Sequence, residues 1–229
     1  MKGISLKALI RTFLRFVNFR TMIQLNMWWF WLRRNRTFFI FEGREYFYRE
    51  VYLQAQRYAG FFLAERKRLI EEGRLGPNER LSLGIYMENT PEFIFAALGA
   101  GLSNSVLFAV NTGFRGETLV NVINQANITS LIINASTERE VERVMDDLSG
   151  IGRTDILYVG DRKEALARGY QDLESAVAGA GPADPKHYRV PIDNFSPVIV
   201  IYTSGTTGMP KGVPCTHIKL VGAGFVVFR

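Results

Sequence analysis

Cysteine and histidine are scarce in this chain of 229 residues. Its one cysteine, Cys215, excludes an internal disulfide framework and is typical of a reducing compartment. We interpret Cys215 as a small apolar side chain that fills space, because most lone cysteines do so. The two histidines, His187 and His217, form no ligand cluster in the sequence, so we predict no zinc site and no metal-ligating residue.

Acidic residues are missing before Glu42, although basic residues are frequent there. The basic residues of this stretch are Lys2, Lys7, Arg11, Arg15, Arg20, Arg33, Arg34 and Arg36. The formal charge of the whole chain is +6, so the 20 basic and 22 acidic residues that remain sum to −2. We therefore divide the chain into a basic N-terminal arm, residues 1–37, and a nearly neutral domain, residues 38–229.

The arm lacks a hydrophobic run that could cross a bilayer, because its longest uncharged run is residues 21–32 and a spanning helix needs roughly 20 apolar residues. It has no signal-peptide pattern either. Lys7, Arg11 and Arg15 make a basic stripe on a predicted helix, and an aromatic run at residues 28–31 precedes two arginines. Aromatic and basic side chains favour the interface of an anionic bilayer. We predict a cytoplasmic protein with peripheral or monotopic membrane contact through this arm.

The sequence of the arm also has two other interpretations. A basic helix packed on its own domain is the alternative to membrane contact. Nucleic acid binding is disfavoured, because the cations lie within a strongly apolar helix, and we predict no nucleic acid partner.

From residue 38 onward, hydrophobic periodicity alternates between strand and helix. Strands are predicted at residues 80–87, 106–110, 128–133, 156–159 and 198–202, after a hairpin at 38–48 and a helix to about residue 68. Further helices are predicted at residues 93–102, 119–126, 137–148 and 170–177. This alternation indicates an α/β fold with a parallel sheet flanked by helices, and ligands bind such sheets beyond the carboxyl ends of the strands.

Several helix starts can be assigned from single residues. Thr90 followed by Pro91 predicts an N-cap, Thr137 with Glu140 predicts a capping box, and Thr216 is expected to cap a helix that contains His217. We interpret His217 as structural.

Two common phosphate-binding patterns are absent. The Walker pattern requires glycine, four residues, and then Gly-Lys-Ser/Thr. Counted from Gly205, Pro210 stands where the second glycine should be, and Gly212 follows Lys211 in place of serine or threonine. The dinucleotide-binding fingerprint GxGxxG fails as well.

A different pattern follows the apolar strand predicted at residues 198–202, which we expect to be buried. It combines four hydroxyl residues, Thr203, Ser204, Thr206 and Thr207, with the glycines Gly205, Gly208 and Gly212. Hydroxyls donate hydrogen bonds, glycines let the backbone come close to a ligand, and Lys211 adds positive charge. The stretch therefore predicts a loop that holds phosphate.

Residues 202–212, YTSGTTGMPKG, resemble the phosphate-loop signature of adenylate-forming enzymes at every defining position. The resemblance implies that a carboxylate is joined to AMP, with release of pyrophosphate, and that the acyl group then passes to a thiol. It implies ATP, Mg²⁺ and coenzyme A as cofactor and co-substrates. The nucleotide-binding residues that it implies are Thr203, Ser204, Gly205, Thr206, Thr207, Gly208 and Lys211.

The same resemblance places the catalytic lysine of such enzymes beyond Arg229, so no catalytic residue is predicted in this chain. We interpret the chain as an incomplete N-terminal AMP-binding domain that ends just after the phosphate loop. Half a nucleotide site is expected to bind ATP weakly and to catalyse little.

Residues 86–93 and 111–119 resemble segments of fatty-acid-transport and very-long-chain acyl-CoA synthetases. This implies a long- or very-long-chain fatty acid as substrate and agrees with a membrane-associated arm. We interpret Asn89 and Arg115, within these segments, as residues that cap and brace the fold. Two alternatives stay open: an adenylate-forming ligase for an aryl, bile or amino acid, and a catalytically inactive, membrane-associated fragment.

Overall fold

A computed structural model describes residues 17–30, 35–189, 192–203 and 209–227. Helices α1–α8 span Phe19–Phe30, Tyr48–Glu71, Pro91–Ser103, Gly116–Gln125, Ala135–Val144, Arg162–Ala167, Leu173–Ala180 and His217–Val227. Strands β1–β9 span Thr37–Phe41, Arg44–Phe47, Ser82–Tyr86, Val106–Ala109, Ser130–Asn134, Ile156–Val159, Gln171–Asp172, Pro197–Thr203 and Lys211–Thr216. The basic stripe predicted at Lys7, Arg11 and Arg15 lies outside the described residues.

Seven strands form one sheet in the order β7-β6-β5-β3-β4-β8-β9, and β1 and β2 form a separate antiparallel hairpin. Every neighbouring pair in the large sheet is parallel except β8 and β9. The predicted parallel sheet flanked by helices is therefore confirmed, with β9 as an antiparallel addition at one edge. The short elements α6, β7 and β9 were not predicted, and the helix predicted at residues 170–177 begins three residues later than expected.

Helices cover the central strands on both faces, and this explains why those strands are continuous apolar runs. On one face, Leu83 and Ile85 of β3 pack in the cluster that contains buried side chains of α2, α3 and α7. On the other face, Tyr86 packs with buried side chains of α4 and α5. Gly84 lies between these residues, and a Cβ there would come within 2.6 Å of a Leu131 methyl carbon, so the helix-covered sheet requires glycine at this position.

The start of α5 differs from the predicted capping box, which is wrong. The N-cap is Asn134, whose side chain accepts a hydrogen bond from the Ser136 amide at 3.2 Å. Thr137 donates to the Tyr86 carbonyl at 2.6 Å, and Glu140 accepts from the Gly116 amide at 2.9 Å. The helix begins earlier because the last residue of β5 supplies the capping oxygen, which frees both side chains for contacts with neighbouring elements.

Helix α1, the described part of the arm, packs on α3. Ile23 is buried, and a Cβ on Gly101 would come within 2.6 Å of the Phe19 ring. Arg20 is only 2% exposed, and its Nη1 donates to the Tyr188 carbonyl at 3.4 Å. Arg20 is therefore part of the folded domain and cannot reach lipid. None of the described helices combines the length and the apolar character needed to cross a bilayer.

A buried ion network joins the end of α2 to the start of β6. Asp155 is 2% exposed and accepts hydrogen bonds from Arg68 at 2.7 Å and from Arg74 at 2.8 Å. Glu65, also buried, accepts a second bond from Arg68 at 2.6 Å. Burial alone would raise the pKa of Asp155, but hydrogen bonds from Arg74, Gly152 and Arg68 lower it below its usual value.

We expect Asp155→Asn to lower the free energy of unfolding by about 2–3 kcal/mol, because it leaves two arginines that are partly buried without their shared carboxylate. Urea denaturation measures this loss. The matched control is Asp146→Asn, since Asp146 is exposed and forms no ion pair among the described residues; its effect should stay within about 0.5 kcal/mol. Equal effects of the two substitutions would contradict a stabilising role of the network.

Candidate nucleotide-binding site

The candidate site lies where β8 reaches the carboxyl edge of the sheet. Strand β8 runs parallel to β4, and β9 returns antiparallel to β8 with Lys211 paired to Thr203. Residues 204–210 connect the two strands, so Thr203 and Lys211, the described ends of the predicted phosphate loop, lie at the edge where parallel sheets bind ligands. Ser204, Gly205, Thr206, Thr207 and Gly208 lie outside the described residues.

Thr203 and Lys211, the two ends of the predicted loop, are placed side by side. The Thr203 hydroxyl donates to the Lys211 carbonyl at 3.5 Å, and both residues are exposed. Lys211 forms no ion pair with any residue that the structure describes. Its ammonium group is therefore available to an anionic ligand at the base of the loop.

Strand β8 is buried on one face only, so the expectation of a buried strand is half right. Val198 and Val200 are buried, but Ile201 is 45% exposed beside its cross-strand partner Val213, which is 46% exposed. Gly212 is required by packing between the two strands, because a Cβ there would come within 2.9 Å of a Val200 methyl carbon. This glycine therefore lets β9 approach β8. Packing alone explains why glycine stands at this position, without contact to a ligand.

Loops from neighbouring strands meet the same edge. The turn after β4 lies next to the end of β8, because the two strands are paired in parallel. In this turn Arg115 donates to the Tyr86 hydroxyl at 2.8 Å and to the Phe114 carbonyl at 2.7 Å. Its Nε lies 3.8 Å from Glu140. Arg115 thus braces three elements, as its interpretation from the sequence proposed.

Glu88, which follows β3, is a further polar residue at this edge, and it was not predicted to belong to the candidate site. Its carboxylate accepts hydrogen bonds from Ser136 at 2.5 Å and from Asn134 at 3.1 Å. The Ser136 bond is the main cause that lowers the pKa of Glu88. Glu88 therefore joins the loops after β3 and β5. Among the described residues, no group of three or more His, Cys, Asp or Glu could hold a metal ion.

His217 lies at the opposite, amino edge of the sheet. It begins α8 behind Thr216, whose hydroxyl accepts a hydrogen bond from the Lys219 amide at 3.4 Å, as predicted for this cap. The imidazole is fully buried, and neither ring nitrogen has a hydrogen-bond partner in the described part of the chain. Burial, with the nearby charges of Arg80 and Arg20, lowers the pKa of His217 to about 3.

We expect His217 to make the fold less stable as the pH falls. Its pKa is lower in the folded chain than in the unfolded chain, so only the unfolded state takes up the proton between about pH 6.5 and pH 3. Relative to His217→Leu, the free energy of unfolding should fall by about 1–2 kcal/mol between about pH 6.5 and pH 5. Urea titrations at a series of pH values measure this difference, which cancels the titration of groups that both proteins share. Parallel pH profiles of the two proteins would show that the imidazole is not buried in neutral form.

Comparison with known proteins identifies the family. A family model described as AMP-binding enzyme matches residues 31–227. The chain belongs to this family. The human long-chain fatty acid transport protein 6 is 25% identical over 196 residues, which cover 84% of this chain and 29% of that protein. The medium-chain acyl-CoA ligase Mig of Mycobacterium avium is 29% identical over 182 residues, covering 78% of this chain and 32% of the ligase.

Solved structures agree on the fold. The anthranilate CoA ligase AuaEII, in complex with anthranoyl-AMP, superposes with a TM-score of 0.69 at 19% identity, over 87% of this chain and 35% of that one. A long-chain-fatty-acid CoA ligase from Rhodopseudomonas palustris, described as putative, gives a TM-score of 0.71 at 17% identity, over 92% and 47%. The chain spans about a third of the length of the two curated relatives named above.

Proposed function

We propose that this chain is the N-terminal part of an ATP-dependent long- or very-long-chain fatty acid–CoA ligase. The observation that carries the proposal is the pairing of β8 with β9, because Thr203 and Lys211, which flank the stretch that resembles the phosphate-loop signature, lie opposite each other at the carboxyl edge of the sheet. Support for the substrate class comes from the relatives named for long-chain and medium-chain acyl substrates and from the resemblance at residues 86–93 and 111–119. Aryl, bile and amino acids are the competing substrate classes.

The residues of the hairpin fit a polyphosphate. Thr203 and Lys211 are both exposed and lie opposite each other on paired strands, and a hydroxyl group and an ammonium group are suitable donors to phosphate oxygens. Ser204, Thr206 and Thr207 would add donors, and Gly205 and Gly208 would let the backbone approach the phosphates. Bound Mg²⁺ would neutralise phosphate charge. Coenzyme A is the acyl acceptor in this proposal.

The reaction proposed for the complete enzyme has two steps. The fatty carboxylate attacks the α-phosphorus of ATP, forming the acyl–AMP anhydride while pyrophosphate leaves. The coenzyme A thiolate then attacks the acyl carbon, forming the thioester while AMP leaves. The part of this chain is to hold the departing pyrophosphate through the loop and Lys211, which stabilises charge that develops on the leaving group. This chain alone should bind ATP weakly, because it would supply only part of the proposed nucleotide site.

We also propose that the arm brings the protein to a membrane surface on the cytoplasmic side. Because Arg20 is buried in the domain, the membrane contact would be made by the other basic residues and the aromatic run of the arm. Both side-chain types favour an anionic bilayer interface. Residues 1–37 are proposed as this arm and residues 38–229 as the incomplete AMP-binding domain.

We expect Lys211→Gln to weaken ATP binding about tenfold, because a charge-assisted contact to phosphate is worth about 1.5 kcal/mol or more. Displacement of a fluorescent ATP analogue measures the affinity. The matched control is Lys219→Gln: Lys219 is also exposed and follows the same strand, but its Nζ donates to the Pro214 carbonyl at 3.1 Å, at the edge away from the loop. If both variants bind ATP as tightly as the parent protein, Lys211 does not contact the nucleotide.

Substrate class is tested by pyrophosphate release with palmitate, lignocerate, benzoate, cholate and aspartate. We expect slow release with the two fatty acids alone, and we expect Lys211→Gln to reduce it. Release with benzoate, cholate or aspartate would instead assign the chain to another ligase of the family. If ATP binds but no acid causes pyrophosphate release, the chain would be a catalytically inactive, membrane-associated fragment.

A further inference from the structure

An open groove lies beside the first turns of α2, on the side of the domain where the arm enters it. Asn35, Phe47, Arg49, Leu53 and Arg57 line this groove, which has a volume of about 640 Å³. Phe47 is 40% and Leu53 45% exposed, so its floor is apolar side chain in contact with solvent. We call it the Phe47–Leu53 groove.

Cations flank this apolar floor. Arg49, Leu53 and Arg57 follow one another at intervals of four residues, which places them in one row along α2. Both arginines are exposed, and neither forms an ion pair within the described ranges of the chain. The acid of the groove, Glu50, is neutralised by Arg44 at 2.5 Å. The groove therefore offers apolar contact and unneutralised positive charge together.

The adjoining hairpin extends the apolar surface. Phe39 and Tyr46 stack on each other and face the core, so Phe38 lies on the opposite face, where it is exposed. The Phe38 ring meets the Tyr48 ring edge to face, with 4.8 Å between their centroids. Glu45 is the acid on this outer face, and it accepts a hydrogen bond from Thr37 at 2.5 Å.

We propose that the Phe47–Leu53 groove lies against an anionic lipid bilayer, with Leu53 and Phe47 entering the interface and Arg49 and Arg57 contacting lipid phosphates. The inference rests on the proposed membrane association of the protein and adds to the arm a second contact, made by the folded domain. Asn35 lines the groove and directly follows Arg34, and consecutive Cα atoms are about 3.8 Å apart. A bilayer that binds the end of the arm is therefore within reach of the groove.

Charge favours a bilayer over a second copy of this chain as the occupant. In a twofold-symmetric dimer the same patch of both copies would meet, so that the four arginines would come together in one interface without added negative charge. Lipid phosphates instead complement both cations, and basic side chains beside an apolar strip are typical of interfacial contacts. A surface of this kind fixes how the domain is oriented on the membrane.

Co-sedimentation of the full 229-residue chain with vesicles tests the inference. We expect binding to phosphatidylcholine vesicles that contain about a third phosphatidylserine, and little binding to phosphatidylcholine alone. Leu53→Glu and Arg57→Glu should each weaken binding about tenfold. The matched controls are Leu166→Glu and Arg162→Glu on α6, outside the groove, where Leu166 is 59% exposed; they should change binding less than about twofold.

Arg11→Glu with Arg15→Glu separates the arm from the groove. If these substitutions weaken binding and the groove variants do not, the arm contact stands and the groove inference is overturned. If the groove variants weaken binding and the arm variant does not, the groove inference stands without the arm. Absence of vesicle binding by the parent, or equal losses in the α6 controls, overturns the groove inference. A dimer in sedimentation velocity without lipid, broken by Leu53→Glu, also overturns it in favour of a second copy.

A spectroscopic label reports the contact directly. With Cys215→Ser removing the single native thiol, Leu53→Cys can carry an environment-sensitive fluorophore. We expect its emission to shift to the blue with phosphatidylserine vesicles, whereas the same label at Leu166→Cys should not shift. Equal behaviour of the two labels would show that the groove does not enter the bilayer. Unchanged thermal unfolding of each variant excludes misfolding as the cause of any loss.

Discussion

The parallel pairing of β8 with β4 decides where the hydroxyl-rich stretch lies. Three register pairs, from Leu107↔Ile199 to Ala109↔Ile201, hold β8 so that it ends beside the turn after β4. Strand β9 then returns antiparallel, which brings Thr203 and Lys211 opposite each other. These pairs fix Thr203 and Lys211, the two described ends of the connection, at the carboxyl edge of the sheet. In the proposed nucleotide site, the sheet would therefore position the residues that flank the phosphate loop.

Basic residues have different surroundings at the two edges of the sheet. At the amino edge, Arg80 donates to the carbonyls of Asn104 and Ser105 at 2.8 and 3.0 Å, and burial lowers the pKa of Arg80 to about 10. The buried Arg20 and the partly buried Arg80 are both held by backbone oxygens, and the neutral His217 near them adds no further charge. At the carboxyl edge, Lys211 stays exposed. A cation that the protein has already paired is structural, whereas one in solvent at a ligand-binding edge can serve a ligand.

Long periodic elements were predictable because burial dictates their pattern. Strands β3, β5 and β6 and helices α2 to α5 are each buried along a face or on both faces, and hydrophobic periodicity reports burial. The missed elements are short or break the pattern: α6 has six residues and β7 two, and β9 contains Gly212 and Pro214. Proline is tolerated in β9 because this strand is the edge of the sheet, a position that depends on tertiary pairing. The alternation of strands and helices predicted the sheet edge at which the candidate site lies. It did not predict that Glu88 joins two loops there, because the hydrogen-bond partners of Glu88 on β5 and α5 are distant in sequence.

The arm shows why charge pattern alone cannot separate a lipid-facing cation from a core cation. Arg20 belongs to the same basic stretch as the arginines near residue 34, yet it is buried beside Tyr188, because Phe19 and Ile23 bind α1 to α3. The spacing of these two apolar residues was the available signal, and it competes with the charge signal in the same helix. In the proposed membrane contact, a bilayer bound by the arm would be held close to the domain, because α1 is fixed on that domain. The packing that buries Arg20 would then also keep the groove at Leu53 near the bilayer.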